Sequence, residues 1–100
     1  MKKGGFVYIM TNVVNNVLYT GVTSDLIQRV YKHRTKAITD SFTSRYNCTK
    51  LVWYQMCGDI REAILEEKRL KGGNRQQKID LINSSNPEWK DLWEKIAGII

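Results

Sequence analysis

A carboxylate stands where one helix of this sequence calls for an apolar side chain. Over Ile60 to Lys71, at about 100° per residue, Ile60, Ala63, Ile64 and Leu70 form an amphipathic stripe, and Glu67 falls near its middle. Its neighbour Glu66 lies toward the polar border, so the two glutamates are not equivalent. An inward ionised carboxylate is costly unless a cation, a metal ion or several hydrogen bonds compensate. Three readings meet that need: a structural salt bridge to Arg29 or a lysine, a stripe that ends in solvent, or a metal ligand. Arg29 and His33, four residues apart, share a helix face bordering the Leu26, Ile27 and Val30 stripe, a rim position that suits a cleft. Singly, the arginine is ordinarily a surface ion pair and the histidine a surface or capping residue. Their company with Glu67 is what singles them out. A phosphodiester gathers negative charge on its oxygens as water attacks, and a divalent ion with a guanidinium is the natural stabiliser.

Such groups need elements to hold them. Phe6 to Met10 and Val17 to Val22 are rich in aromatic and β-branched residues, and the Asn15-Asn16 pair between them tolerates the positive φ of a tight turn, which predicts a β-hairpin. Asp25 caps a first helix that fades by Thr35. Thr35 to Thr49 has no sustained period, the mark of a functional or mobile connection. A third strand follows over Lys50 to Gln55. Asp59 with Glu62 predicts a capping box opening the Glu67 helix, which stops at Gly72-Gly73. Asn74 with Gln77 repeats that logic for a helix to about Ser84. Asn86-Pro87 predicts a capped last helix burying Trp89, Leu92, Trp93 and Ile96. The pattern is one α+β domain over residues 1–100, its core spanning about 5–93, with antiparallel strands among helices.

Sixteen Lys and Arg against ten Asp and Glu leave a net charge of +6. The excess gathers in two stretches, Arg29 to Lys50 with Asp40 as its single acid, and Lys68 to Lys78 with none. Lys32, Arg34, Lys36, Arg45, Lys71 and Arg75 are the candidate contacts to a polyanion, and a solubilising basic surface is the plainer alternative. Cys48 and Cys57 fit neither a metal-spaced pair nor a disulfide scaffold, so reduced thiols and a cytoplasmic location are expected. No apolar run reaches membrane-spanning length, and Met1-Lys2-Lys3 leads straight into a strand-like segment.

The ordered set Phe6-Val7-Tyr8, Tyr19-Thr20-Gly21, Arg29 with His33, then Glu67 resembles the motifs of the GIY-YIG nuclease superfamily. Phe42-Thr43, Leu51 to Tyr54, Glu66-Glu67-Lys68 and Asn86 to Trp89 extend the likeness to its small stand-alone bacterial branch, over roughly Val7 to Leu92. The resemblance implies a three-stranded antiparallel sheet flanked by helices, with Tyr8 and Tyr19 in a cleft. It implies that Arg29 clamps phosphate, that Glu67 holds one Mg²⁺ or Mn²⁺, and that His33 takes the next position on the arginine's face. A tyrosine acting as base needs its pKa lowered by a cation, a role for His33 or the metal.

That implies a metal-dependent endonuclease on nucleic acid, DNA first, selecting shape or structure rather than sequence, in repair or recombination. The alternative is a nucleic-acid-binding module with little catalysis, or a subunit to which a protein partner lends specificity. Departures from the family pattern include Phe6 for a glycine, Thr20 in the second motif, Glu66 where arginine is frequent and Gly73 where an aromatic is frequent.

Overall fold

Period-two patterning near the amino terminus resolves into an antiparallel hairpin of β1 (Gly5–Thr11) and β2 (Leu18–Thr23). Asn15 takes the positive φ of 60° expected of the turn. Asn12 Oδ1 accepts the backbone N–H of Asn16 and Val17, which closes the loop. The computed structural model describes residues 4–37 and 41–98; Asp40, the lone acid of the first basic stretch, lies outside them. Beyond the hairpin come α1 (Leu26–Thr35), α2 (Phe42–Arg45), β3 (Lys50–Cys57), α3 (Ile60–Gly72), α4 (Arg75–Ser85) and α5 (Trp93–Ala97).

The sheet is three-stranded and antiparallel throughout, in the order β2-β1-β3, and helices flank it. Central β1 is buried on both faces. Val7 and Ile9 join Val52, Trp53, Ala63, Leu70 and Ile82 under α3 and α4, while Tyr8 and Met10 join Leu26, Val30, Cys48 and Leu51 under α1. Pairing jumps from Ile9–Trp53 to Met10–Leu51, so Val52 is the extra residue of a β-bulge and shares its neighbour's side of the sheet. Among the described residues no helix is long and apolar enough to cross a membrane.

Several local expectations change once the elements pack. The connection after α1 contains a short helix, because Ser41 Oγ accepts the Ser44 N–H and starts the turn. Asp59 caps α3 as expected, but Glu62 accepts the N–H of Gly58 rather than that of Asp59, so the box stays open. The Asn74–Gln77 box is complete. Ile27 and Ile64, placed on apolar stripes by spacing, are exposed. The largest revision concerns Asn86, which is the C-cap of α4 and not the N-cap of the last helix. Its buried amide donates to the Val52 and Lys90 carbonyls and its oxygen accepts the Lys90 N–H, while Trp89 takes a φ of 54°. A helix cannot pass through those bonds and that backbone, so α5 begins only at Trp93.

Candidate active site

Tyr8 lies opposite Gly21 in the hairpin register. A Cβ at position 21 would come 2.4 Å from both Cζ and Oη of Tyr8, so the missing side chain is the space through which the ring crosses β2. The fully buried ring then delivers its hydroxyl to His33 Nε2 at 2.8 Å. His33 Nδ1 is 2.9 Å from Thr43 Oγ1, and Thr43 Oγ1 is 3.2 Å from Ser41 Oγ. Tyr19, half-buried, closes the cluster, its ring centroid 5.6 Å from His33, edge-on, and 5.9 Å from Phe42, stacked.

His33 is therefore a buried residue and not a rim residue, lying seven after Leu26 and three after Val30, on the stripe itself. Burial, and next the Arg29 guanidinium, push its pKa down from 6.5 to about 4. A neutral imidazole cannot lend a tyrosine positive charge, so that expected role passes from His33; what it offers is a hydrogen-bond partner. Burial also drives the Tyr8 phenol well above its ordinary range; Tyr19 raises it further, Arg29 opposes and Glu67 adds.

His33 is the single histidine of the chain, so its ring protons titrate without overlap. We expect a proton NMR midpoint near pH 4. Since the unfolded chain binds the proton more readily, stability is intact above about pH 6.5 and falls as pH drops toward 4, by up to roughly 3 kcal/mol. A midpoint near 6.5, or stability flat across that interval, contradicts the buried neutral ring.

On α3, Glu67 follows Ala63 by one turn and precedes Leu70, both buried, and its side chain keeps 14% exposure against 25% for Glu66. Glu66 pairs with Arg69 on the surface, whereas Glu67 Oε2 meets Lys71 Nζ at 3.1 Å and its charge acts on the Tyr8 hydroxyl. Of the readings open from spacing, a lysine pair is thus realised. Among the described residues no three His, Cys, Asp or Glu side chains gather as a metal cluster. The half-buried Arg29 guanidinium, among the described residues, makes neither hydrogen bond nor ion pair.

The structure brings Tyr8, Tyr19, Arg29, His33 and Glu67 together, with Lys71 Nζ 6.0 Å over the Tyr19 ring. The other basic candidates are spread around it. Lys32 is half-buried and Arg45 exposed; Lys36 caps α1 in a left-handed conformation and donates to Asn47; Arg75 donates to the Asn16 carbonyl. Arg34 is committed to the fold, with its guanidinium on Asp91 and the Thr49 carbonyl and 5.2 Å over the Trp93 ring. Spacing gave Thr43 no role; the signal available for it was the Phe42-Thr43 pair within the family resemblance, and the structure sets its hydroxyl on His33.

A hairpin presenting two tyrosines, an arginine on the next helix and a glutamate on the helix after the third strand define a class, and comparison agrees. The profile described as the GIY-YIG catalytic domain matches residues 4–80, and the chain belongs to that family. Among its relatives, a UPF0213 protein of Desulfotalea psychrophila is 30% identical over 88 residues, 88% of this chain and 79% of that one. Another, from Pectobacterium carotovorum, is 30% identical over 77 residues, 77% of this chain and 76% of its own. The solution NMR structure of a UPF0213 protein from Bacillus halodurans superposes with a TM-score of 0.55 at 23% identity, covering 91% of this chain and 95% of that one, which shows the shared fold.

Proposed function

We propose that the chain is a divalent-metal-dependent nuclease hydrolysing nucleic-acid phosphodiesters, DNA foremost, by shape or structure rather than sequence. The observation that carries this reading is the 2.8 Å hydrogen bond from Tyr8 to a neutral His33, set beside an uncommitted Arg29. In the tautomer with Nδ1 protonated, Nδ1–H donates to Thr43 and Nε2 accepts from Tyr8. Tyr8 Oη can then take a proton from the attacking water as its own proton passes to Nε2, and His33 gains charge only as the reaction proceeds. Arg29 binds the phosphate oxygens as their charge grows.

Glu67 is the residue that would hold the metal. One carboxylate does not make a closed site for zinc, but it fits Mg²⁺ or Mn²⁺, which retain water and bind through few carboxylates plus phosphate. When bound there, such an ion supplies positive charge to the phosphate and cancels the carboxylate's raising effect on Tyr8. Lys32, Lys36, Arg45, Lys71 and Arg75 would meet the phosphate backbone, leaving little surface for base readout. A protein partner would supply further selectivity, in DNA repair or recombination in the cytoplasm.

Labelled single-stranded, duplex and flapped DNA, incubated with Mg²⁺ or Mn²⁺, tests this. We expect cleavage only with the divalent ion, affinity that falls steeply with salt, and a loss of about a hundredfold or more in rate for Tyr8→Phe. Salt-dependent binding with no cleavage under either ion makes the chain a nucleic-acid-binding module instead. An absence of binding at low salt removes both readings.

A further inference from the structure

Beside the free edge of β2, next to the tyrosine and histidine cluster, a cavity of about 310 Å³ is lined by Leu18, Tyr19, Thr20, Phe42, Lys71 and Lys78. Three of these side chains have interactions the fold does not complete. Thr20 is buried, yet its Oγ1 has no hydrogen-bond partner, a costly state for a hydroxyl shielded from water. Lys78 is half-buried and, among the described residues, forms no ion pair. Phe42 keeps a large part of its ring exposed while stacking on Tyr19. Lys71, held by Glu67 on one side, brings a second ammonium to the same cavity. Two cations, an unmet hydroxyl and an aromatic wall in one hollow match the chemistry of a nucleotide unit, whose phosphate is anionic and whose sugar is largely apolar.

We propose that this cavity is a second phosphate-binding subsite, which takes the phosphodiester adjoining the scissile one in the bound strand. Lys78 and Lys71 hold its charge, Thr20 turns about χ1 to donate the hydrogen bond it lacks, and the sugar lies against Phe42. Tyr19 borders both this cavity and the cluster around His33, so the two sites are contiguous along one strand. The inference rests on the proposed reading of the chain as acting on nucleic acid.

Binding of short deoxynucleotides to the full chain in EDTA separates the two. A dinucleotide carries one internal phosphodiester and a trinucleotide two, and the wild type should gain roughly tenfold in affinity from the second. Thr20→Val and Lys78→Gln should lose most of that gain while keeping the dinucleotide affinity, and Arg29→Gln should weaken both ligands. Thr20→Val is nearly isosteric and removes a buried unpaired hydroxyl, so its thermal midpoint should hold or rise; if it fails to fold, Lys78→Gln decides alone. Inorganic phosphate should compete only weakly, and competition as strong as the trinucleotide's would reassign the cavity to a free anion. If both variants keep the full gain while Arg29→Gln loses affinity, the subsite is wrong and the nucleic-acid reading stands. If the wild type binds neither ligand, both fall.

Discussion

Glu67→Ala is expected to cut divalent-ion-dependent cleavage by a thousandfold or more, on the order of several kcal/mol of transition-state stabilisation, while Glu66→Ala leaves most of it. The two residues are adjacent, so the comparison isolates position from composition. Glu66 is held on the surface by Arg69, and its loss removes an exposed pair worth little. Glu67 lies one turn from buried Ala63, its charge acts on Tyr8, and in the proposed function it is the carboxylate that would hold the metal. Alanine suits a helix, so the variant should fold, although Lys71 loses its partner. Cleavage with Mn²⁺ and thermal unfolding of both purified variants check this. An active Glu67→Ala protein would leave the carboxylate as an ordinary partner of Lys71 and point to the binding-module reading.

Gly21→Ala should act on the same site through space alone. The added methyl would come 2.4 Å from Cζ and Oη of Tyr8, whose side chain is fully buried under α1 and cannot swing clear as an exposed side-chain tip does. Overpacking of this kind costs about 1–3 kcal/mol, and about 4–8 °C in thermal midpoint for each kcal/mol in a domain of this size. Displacing the ring also breaks the Tyr8–His33 hydrogen bond and loosens the histidine's burial, so the His33 midpoint should rise from about 4 toward 6.5. Cleavage should fall with it. Pairing Gly21→Ala with Tyr8→Leu should restore much of the stability but none of the activity, because the smaller side chain relieves the clash without supplying a hydroxyl. An unchanged midpoint in the single variant would mean that the ring does not cross β2 where the structure places it.

Much of this molecule was legible one element at a time. The strands and the starts of α1, α3 and α4 were readable because alternation, helical spacing and the caps Asp25, Asp59 and Asn74 are properties of a few consecutive residues. The inequality of Glu66 and Glu67 followed from the same spacing. The ordered tyrosine, arginine and glutamate motifs pointed to the family that the profile match establishes.

What only the tertiary structure decided involves partners distant in sequence. Helical spacing put His33 beside Arg29, but its hydrogen-bond partners are Tyr8, 25 positions earlier, and Thr43, ten positions later, and burial in that setting, with the Arg29 guanidinium second, is what lowers its pKa. Arg34 looked as available for phosphate as Lys32 until the fold set Asp91, 57 positions away, against it. Asn86 read as the N-cap of the last helix because a free amide prefers that place, yet its amide is taken by the Val52 carbonyl at the bulge and by the Lys90 carbonyl, and the residue ends α4 instead. A local pattern specifies which face of an element is apolar, and the cost of burying an unpaired polar group decides which distant partner that face must meet.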